Sequence, residues 1–172
     1  MTDGVTIRLA HEDDFPAIAA IYNHEVLHGV ATFDTVPWDT TAMATWFEKH
    51  QPQRRPVTVA VDSAGLVVGW GSLSDWSTRC AYVRAAEDSI YVHPDRQGEG
   101  IGRMLLADLI ERGAKLGVKV LLARIESSCG ASLHVHETQG FTRVGVMHRV
   151  GEKFGRVLDV ALLERSLEEE TD

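Results

Sequence analysis

Apolar and polar residues alternate over Val5, Ile7 and Leu9, which predicts a strand with one buried face. The charged stretch His11-Glu12-Asp13-Asp14 then turns the chain into a helix. From Phe15 the apolar positions Phe15, Ile18, Ile21, Tyr22 and Val26 fall three to four residues apart, a helical stripe with Gly29 as its stop. Thr40 to His50 carries a second stripe in Met43, Trp46 and Phe47. Thr40 or Thr41 is placed to cap its start, and Pro52 and Pro56 bar its continuation. Val57 to Val61 and Leu66 to Leu73, joined by Asp62-Ser63-Ala64-Gly65, predict an antiparallel hairpin. Ser74 to Ala86 has no clear period. Asp88 to Val92 is β-rich and stops at His93-Pro94, because proline cannot donate to a ladder.

Ile101 to Leu116 repeats as a helix through Ile101, Leu105 and Leu109 and closes at Gly117, and Val118 to Ile125 is a nearly continuous apolar strand. A strand, glycine loop, helix and strand in succession make a crossover unit, so the two strands are expected to be parallel neighbours in a mixed sheet. Ala131 to Gln139 predicts another helix ended by Gly140, and Val144 to Val150 with Val157 to Leu163 flank Gly151 to Gly155 as a last hairpin.

Composition narrows the function classes. A chain of 172 residues, 44% hydrophobic and 24% charged, suits one domain spanning residues 1–172. A net charge of −8 and a pI near 5.4 argue against a nucleic-acid surface, which needs clustered positive charge, and favour a small diffusible partner. No stretch reaches the roughly 18 apolar residues of a membrane helix, and nothing near Met1 has the form of a signal peptide, so a soluble, cytoplasmic protein is expected. Cys80 and Cys129 lack metal or disulfide spacing and read as free thiols. His134 and His136 lie two apart on a predicted helix and face different directions, so no metal is expected. The run Glu168-Glu169-Glu170 reads as a solvated terminus.

The sharpest local signal is Arg96-Gln97-Gly98-Glu99-Gly100-Ile101-Gly102-Arg103, between a β-run and an amphipathic helix. Glycine permits backbone conformations in which successive N–H groups converge, and a helix start adds unpaired donors and the positive end of a dipole, so the segment suits an anion. The glycine spacing is neither the dinucleotide fingerprint nor a Walker loop, because Gly102 is followed by Arg103 and Met104 rather than Lys and Ser/Thr.

Gln97-x-x-Gly100-x-Gly102 resembles the Q/R-x-x-G-x-G/A signature of the GCN5-related N-acetyltransferase (GNAT) family. Glu87 to Val92, Ile125-Glu126-Ser127, His136 with Gly140-Phe141, and Lys153-Phe154-Gly155 are similar to its phosphinothricin and methionine sulfoximine acetyltransferase branch. The resemblance implies an α+β fold with a twisted mixed sheet of about six to seven strands flanked by about four helices. It implies acetyl-CoA as cosubstrate, a glutamate-like amino acid or analogue as acceptor of the acetyl group at its α-amine, and a homodimer. A different amine, such as a polyamine or a protein N-terminus, and a non-catalytic acyl-CoA sensor are the alternatives.

On that resemblance the diphosphate of coenzyme A is held by backbone donors of Gln97, Gly98, Glu99, Gly100, Ile101, Gly102 and Arg103, with further cofactor contacts at Ile90, Tyr91, Val92, Cys129 and Ser132. Cys129 stands where relatives often carry asparagine, and it is a weaker hydrogen-bonding group. An amine must lose a proton to attack a thioester, and Glu87 is the candidate base, its pKa open to adjustment by burial. His136 stands where this branch has a histidine and is the candidate acid toward the departing thiolate. Arg79 and Arg84 lie between Trp76 and Glu87, where a guanidinium fork suits an amino-acid carboxylate. Arg79 fits one subgroup better, whereas other relatives have arginine at the position of Ser77. Phe33, Trp76 and Lys153 complete the substrate-pocket candidates.

Overall fold

The computed structural model describes residues 4–168. Among them are seven strands: β1 (Thr6–Leu9), β2 (Val57–Val61), β3 (Val67–Asp75), β4 (Ala85–Val92), β5 (Val120–Glu126), β6 (Thr142–Lys153) and β7 (Arg156–Ser166). They form one sheet in the order β1-β2-β3-β4-β5-β7-β6, antiparallel except between β4 and β5. Four α-helices cover it: α1 (Phe15–His28), α2 (Thr40–Glu48), α3 (Ile101–Lys115) and α4 (Gly130–Thr138). This is the mixed-sheet architecture the sequence pattern predicts.

The period-2 alternation of the strands sends neighbouring side chains to opposite faces, and the core divides accordingly. Val57, Val59 and Trp70 pack against Ile18, Ile21, Tyr22 and Val26 of α1 and Met43 of α2. Ala60, Val68, Leu73 and Ala86 meet Ile101, Leu105, Leu106 and Leu109 of α3. Two glycines in β3 allow α3 to approach closely. A Cβ at Gly69 would stand 3.1 Å from Ile101 Cγ2, and one at Gly71 3.0 Å from Leu109 Cδ1. This contact fixes the start of α3, and hence the glycine loop, against the end of β4.

The parallel pairing is short. β4 meets β5 only at Ala85, Ala86 and Glu87, opposite Val120, Leu121 and Leu122. Beyond that point β4 follows β3, reaching Val92 opposite Gly69, while β5 follows β7, reaching Glu126 opposite Val160. Two adjacent strands that keep their outer partners and lose each other leave an opening in the middle of the sheet.

Several local expectations are corrected. α2 is capped by Asp39, whose carboxylate accepts from the Ala42 N–H at 2.8 Å, rather than by Thr40 or Thr41. The aperiodic segment before β4 shrinks, because β3 runs on to Asp75 and β4 begins at Ala85, which puts Glu87 inside a strand. The last hairpin turns at Phe154-Gly155 rather than across Gly151 to Gly155. Gly151 is still paired with Leu158, a bulge with Arg149 at φ 57° absorbs the extra residues, and Phe154 and Gly155 take left-handed φ values of 53° and 69°. Glu168 pairs with Lys119 at 3.0 Å, and Glu169 and Glu170 lie outside the described residues.

Asp39→Ala is expected to cost about 1 kcal/mol, seen as a lower thermal midpoint, whereas Thr40→Ala and Thr41→Ala leave it within error. Equal losses at all three positions would remove Asp39 from the capping role.

Candidate active site

The opening between β4 and β5 is a cavity of about 680 Å³. Residues 87–91 of β4 line one wall and 123–126 of β5 the other; α4 contributes Ser132 and His136, preceded by Cys129, and the connection between α1 and α2 contributes Phe33. Glu87 sits at the branch point, in the last residue pair before the strands part.

Glu87 is not an isolated carboxyl. Arg124 donates to it through both arms of the guanidinium, Nε to Oε1 and Nη2 to Oε2, each at 2.6 Å. This bidentate fork raises the pKa of Arg124, through the hydrogen bond to Glu87 first and its charge as well, against an opposing cost of burial. The guanidinium also lies 5.6 Å from the Trp76 ring centroid. Glu87 therefore stands at the cavity wall within an ion pair.

His136 is enclosed, with 2% of its surface exposed. Its Nδ1 faces the Ser132 carbonyl oxygen at 2.7 Å and its Nε2 faces Asp88 Oδ2 at 2.9 Å. Both neighbours are acceptors, so both ring nitrogens are set to donate, which is the pattern of the imidazolium. Burial works against the charge, but the hydrogen bond and charge of Asp88 and the Ser132 carbonyl outweigh it, and the pKa of His136 is raised. Both nitrogens being committed, His136 has no proton aimed at a departing thiolate; it holds α4 against β4 instead.

The glycine loop leads from β4 into α3. Gly98 and Gly100 take φ values of 80° and 86°, in the left-handed region that glycine enters without strain. Among the described residues, the N–H groups from Gly98 through Arg103 find no protein acceptor; the first helical bond of α3 is from Met104 to the Gly100 carbonyl. The loop is pinned from behind, since Arg96 binds Glu99 through Nε and Asp62 of the β2–β3 turn through Nη1. A row of unpaired amides at the start of a 15-residue helix fits a diphosphate. The side chain of Ile101 is buried, and that of Glu99 is held by Arg96, so neither covers the main-chain groups.

The remaining candidates scatter. Ile90, Tyr91, Cys129 and Ser132 line the cavity, while Val92 packs against the α3 cluster at its end. Burial, with the charge and hydrogen bonding of Glu126, pushes the Cys129 thiol up to about 11, so it stays protonated. Phe33 lines the cavity and rests on Gly151, where a Cβ would come within 2.2 Å of its ring. Arg79 and Arg84 are exposed and outside the cavity lining, because the irregular segment after β3 carries them away from the opening. Trp76 packs against Arg124 rather than lining the cavity. Lys153 is buried and donates to the carbonyls of Thr32 at 2.8 Å and Glu25 at 3.1 Å. It anchors the connection that carries Phe33 instead of reaching a substrate. Arg124 was not singled out by the sequence, although one arginine within the apolar run Val118 to Ile125 is a visible irregularity.

Among the described residues no cluster of three or more metal-ligating side chains occurs, and no helix is long and apolar enough to cross a membrane.

Residues 16–141 match the model of the Acetyltransferase (GNAT) family. The chain belongs to that family. This GNAT protein is 40% identical over 168 residues to the L-amino acid N-acyltransferase MnaT of Escherichia coli K12, covering 98% of this chain and 97% of that one. It is 41% identical over 165 residues to an L-methionine sulfoximine/L-methionine sulfone acetyltransferase of Salmonella typhimurium, covering 96% of each. Among solved structures, Salmonella typhimurium yncA with its cofactor acetyl-CoA superposes with a TM-score of 0.93 at 40% identity, covering 98% of this GNAT chain and 97% of the other.

A pKa raised in the folded state means that the His136–Asp88 pair contributes stability fully below the ordinary histidine value of 6.5, and that this contribution is lost as pH rises through the higher folded value. The unfolding free energy is accordingly expected to decline over that interval, and the decline attributable to the pair is expected to vanish in His136→Asn. Urea unfolding measured across pH checks both; identical slopes in the two proteins would contradict the pairing.

Proposed function

We propose that this GNAT protein transfers the acetyl group of acetyl-CoA directly to the α-amine of a small amino acid or analogue of the methionine sulfoximine and phosphinothricin type. The observation that carries the proposal is the alignment along β4: Glu87 stands at the head of the opening, and the unpaired amides of Gly98 to Arg103 stand beyond its other end. From Glu87 to Val92 a strand rises roughly 17 Å, a span for an extended pantetheine arm to follow. The names of the relatives, one an L-amino acid acyltransferase and one a methionine sulfoximine acetyltransferase, support the same substrate class.

When bound, acetyl-CoA supplies an activated thioester. The loop amides hold its diphosphate, and the parted strand walls admit its arm past Ile90, Tyr91, Cys129 and Ser132. Glu87 accepts a proton from the acceptor's ammonium, the neutral amine attacks the thioester carbonyl, a C–N bond forms and the C–S bond breaks. The second amine proton leaves with the thiolate as thiol. Holding the two reactants together removes on the order of 7 to 11 kcal/mol of barrier in well-oriented cases.

In this proposal the chain is one cytoplasmic domain with small molecules as its partners, and it works as a homodimer. The exposed Val144 on the edge strand β6, with Met147 and Val150 beside it at the cavity rim, suits self-association.

With acetyl-CoA and L-methionine sulfoximine, Glu87→Gln is expected to lower kcat/KM roughly 10²- to 10⁴-fold, with the KM for acetyl-CoA unchanged. Equal rates in the two proteins would remove Glu87 from the chemistry.

A further inference from the structure

The charges around the cavity are unequal in number and almost wholly committed. Four carboxylates line it: Asp75, Glu87, Asp88 and Glu126. Asp75 is engaged by Arg54 and Arg55, both from outside the lining. Asp88 is engaged by His136, and Glu126 accepts from the Ser128 N–H and hydroxyl. Arg124 is the single Lys or Arg among the lining residues, and the group it holds is Glu87.

An amino-acid acceptor brings an ammonium and a carboxylate together. Its carboxylate finds one complementary fork in the lining, Arg124, whose side chain is 52% exposed while that of Glu87 is 16% exposed. The fork matches a carboxylate through two parallel hydrogen bonds, and Arg124 Nη1 has no protein acceptor among the described residues. In the ligand-free pairing each oxygen of Glu87 accepts one hydrogen bond from Arg124, so the side chain is held in the fork by both oxygens.

We infer that Arg124 is the anchor for the acceptor's carboxylate and that its pairing with Glu87 is a latch which the acceptor opens. One carboxylate replaces another on the guanidinium, Glu87 is released, and the same molecule presents its ammonium to the freed oxygen. The exchange leaves no charge without a partner: the one pair Arg124–Glu87 becomes two, Arg124–acceptor carboxylate and Glu87–acceptor ammonium. An amine without a carboxylate has to break the latch with no replacement for Arg124, so selection for amino acids over simple amines is built into the site. The Trp76 ring, 5.6 Å from the guanidinium, gives the fork a second contact that does not depend on its carboxylate partner. The inference rests on the acetyl-transfer function proposed above.

The test compares L-methionine sulfone with its α-carboxamide as acceptors, in wild-type protein, Arg124→Gln and Arg124→Lys. Wild-type protein is expected to favour the acid by roughly tenfold to a hundredfold in kcat/KM, the effect of a charged hydrogen-bonded pair. Arg124→Gln is expected to raise the KM for the acid by a similar factor, leave the KM for acetyl-CoA in place and bring the acid-to-amide ratio close to one. Arg124→Lys, which keeps the charge but not the fork, is expected to restore part of the ratio. A wild-type ratio retained in Arg124→Gln would overturn the latch alone, since turnover itself would persist. Wild-type protein that acetylates neither compound would overturn the acetyl-transfer function, and the latch with it.

Discussion

β4 and β5 are hydrogen-bonded to each other across three residues and to their outer neighbours over most of their length. A buried sheet ordinarily satisfies its polar backbone by unbroken pairing, so parted strands in mid-sheet carry a cost that the surrounding packing has to bear. Here α3 lies close on Gly69 and Gly71 along one strand group, and β7 holds β5 along the other. Most features of the site descend from that divergence. The gap is the cavity, its apex is Glu87, and β4 leads from it through the Pro94–Arg96 turn to the glycine loop.

The polar side chains then divide into those that hold the walls and those that face the opening. Asp88 and His136 tie α4 to β4 from within the buried layer, and Lys153 ties the Thr32–Phe33 segment to the last hairpin through main-chain carbonyls. Burying charges of this kind stabilises little in net terms, and breaking one partner away is costly, so their effect is to hold one arrangement of the walls. The pair facing the opening differs in kind. Glu87 and Arg124 are only partly buried, and their fork stands at the wall of the opening. Behind the walls stand one buried ion pair and a lysine held by carbonyls; at the opening stands one partly exposed ion pair.

Much of the fold was legible because its signals are local. The apolar stripe of α1, the Ile101, Leu105 and Leu109 series of α3, and the strand–loop–helix–strand order around Gly98 to Gly102 each follow from spacing within a single segment. Gly151 reads as part of a turn because a glycine near a hairpin end looks the same in sequence whether it bends the chain or makes room for Phe33. The site was legible where backbone does the work, as in the loop, and less so where long side chains choose partners across the sheet. Arg79 and Arg84 are near Glu87 in sequence and outside the cavity lining, whereas Arg124, 37 residues away from Glu87, binds it with both arms. His136 was located, but its partner Asp88, on a strand 48 residues earlier, turns an apparent acid into a fixed support. Strand register decides such pairs, and register across a crossover is a long-range property that segment patterns do not contain.

The central claim is that unpaired main-chain amides between Gly98 and Arg103 hold a diphosphate at the end of the parted strands. Calorimetric titration with coenzyme A, repeated with pantetheine, which lacks the diphosphate, tests it most directly. Expected is one coenzyme A per chain and binding of pantetheine weaker by roughly a hundredfold or more, as loss of several charge-assisted hydrogen bonds implies. Folded protein that takes up no coenzyme A, or binds both compounds equally well, would contradict it.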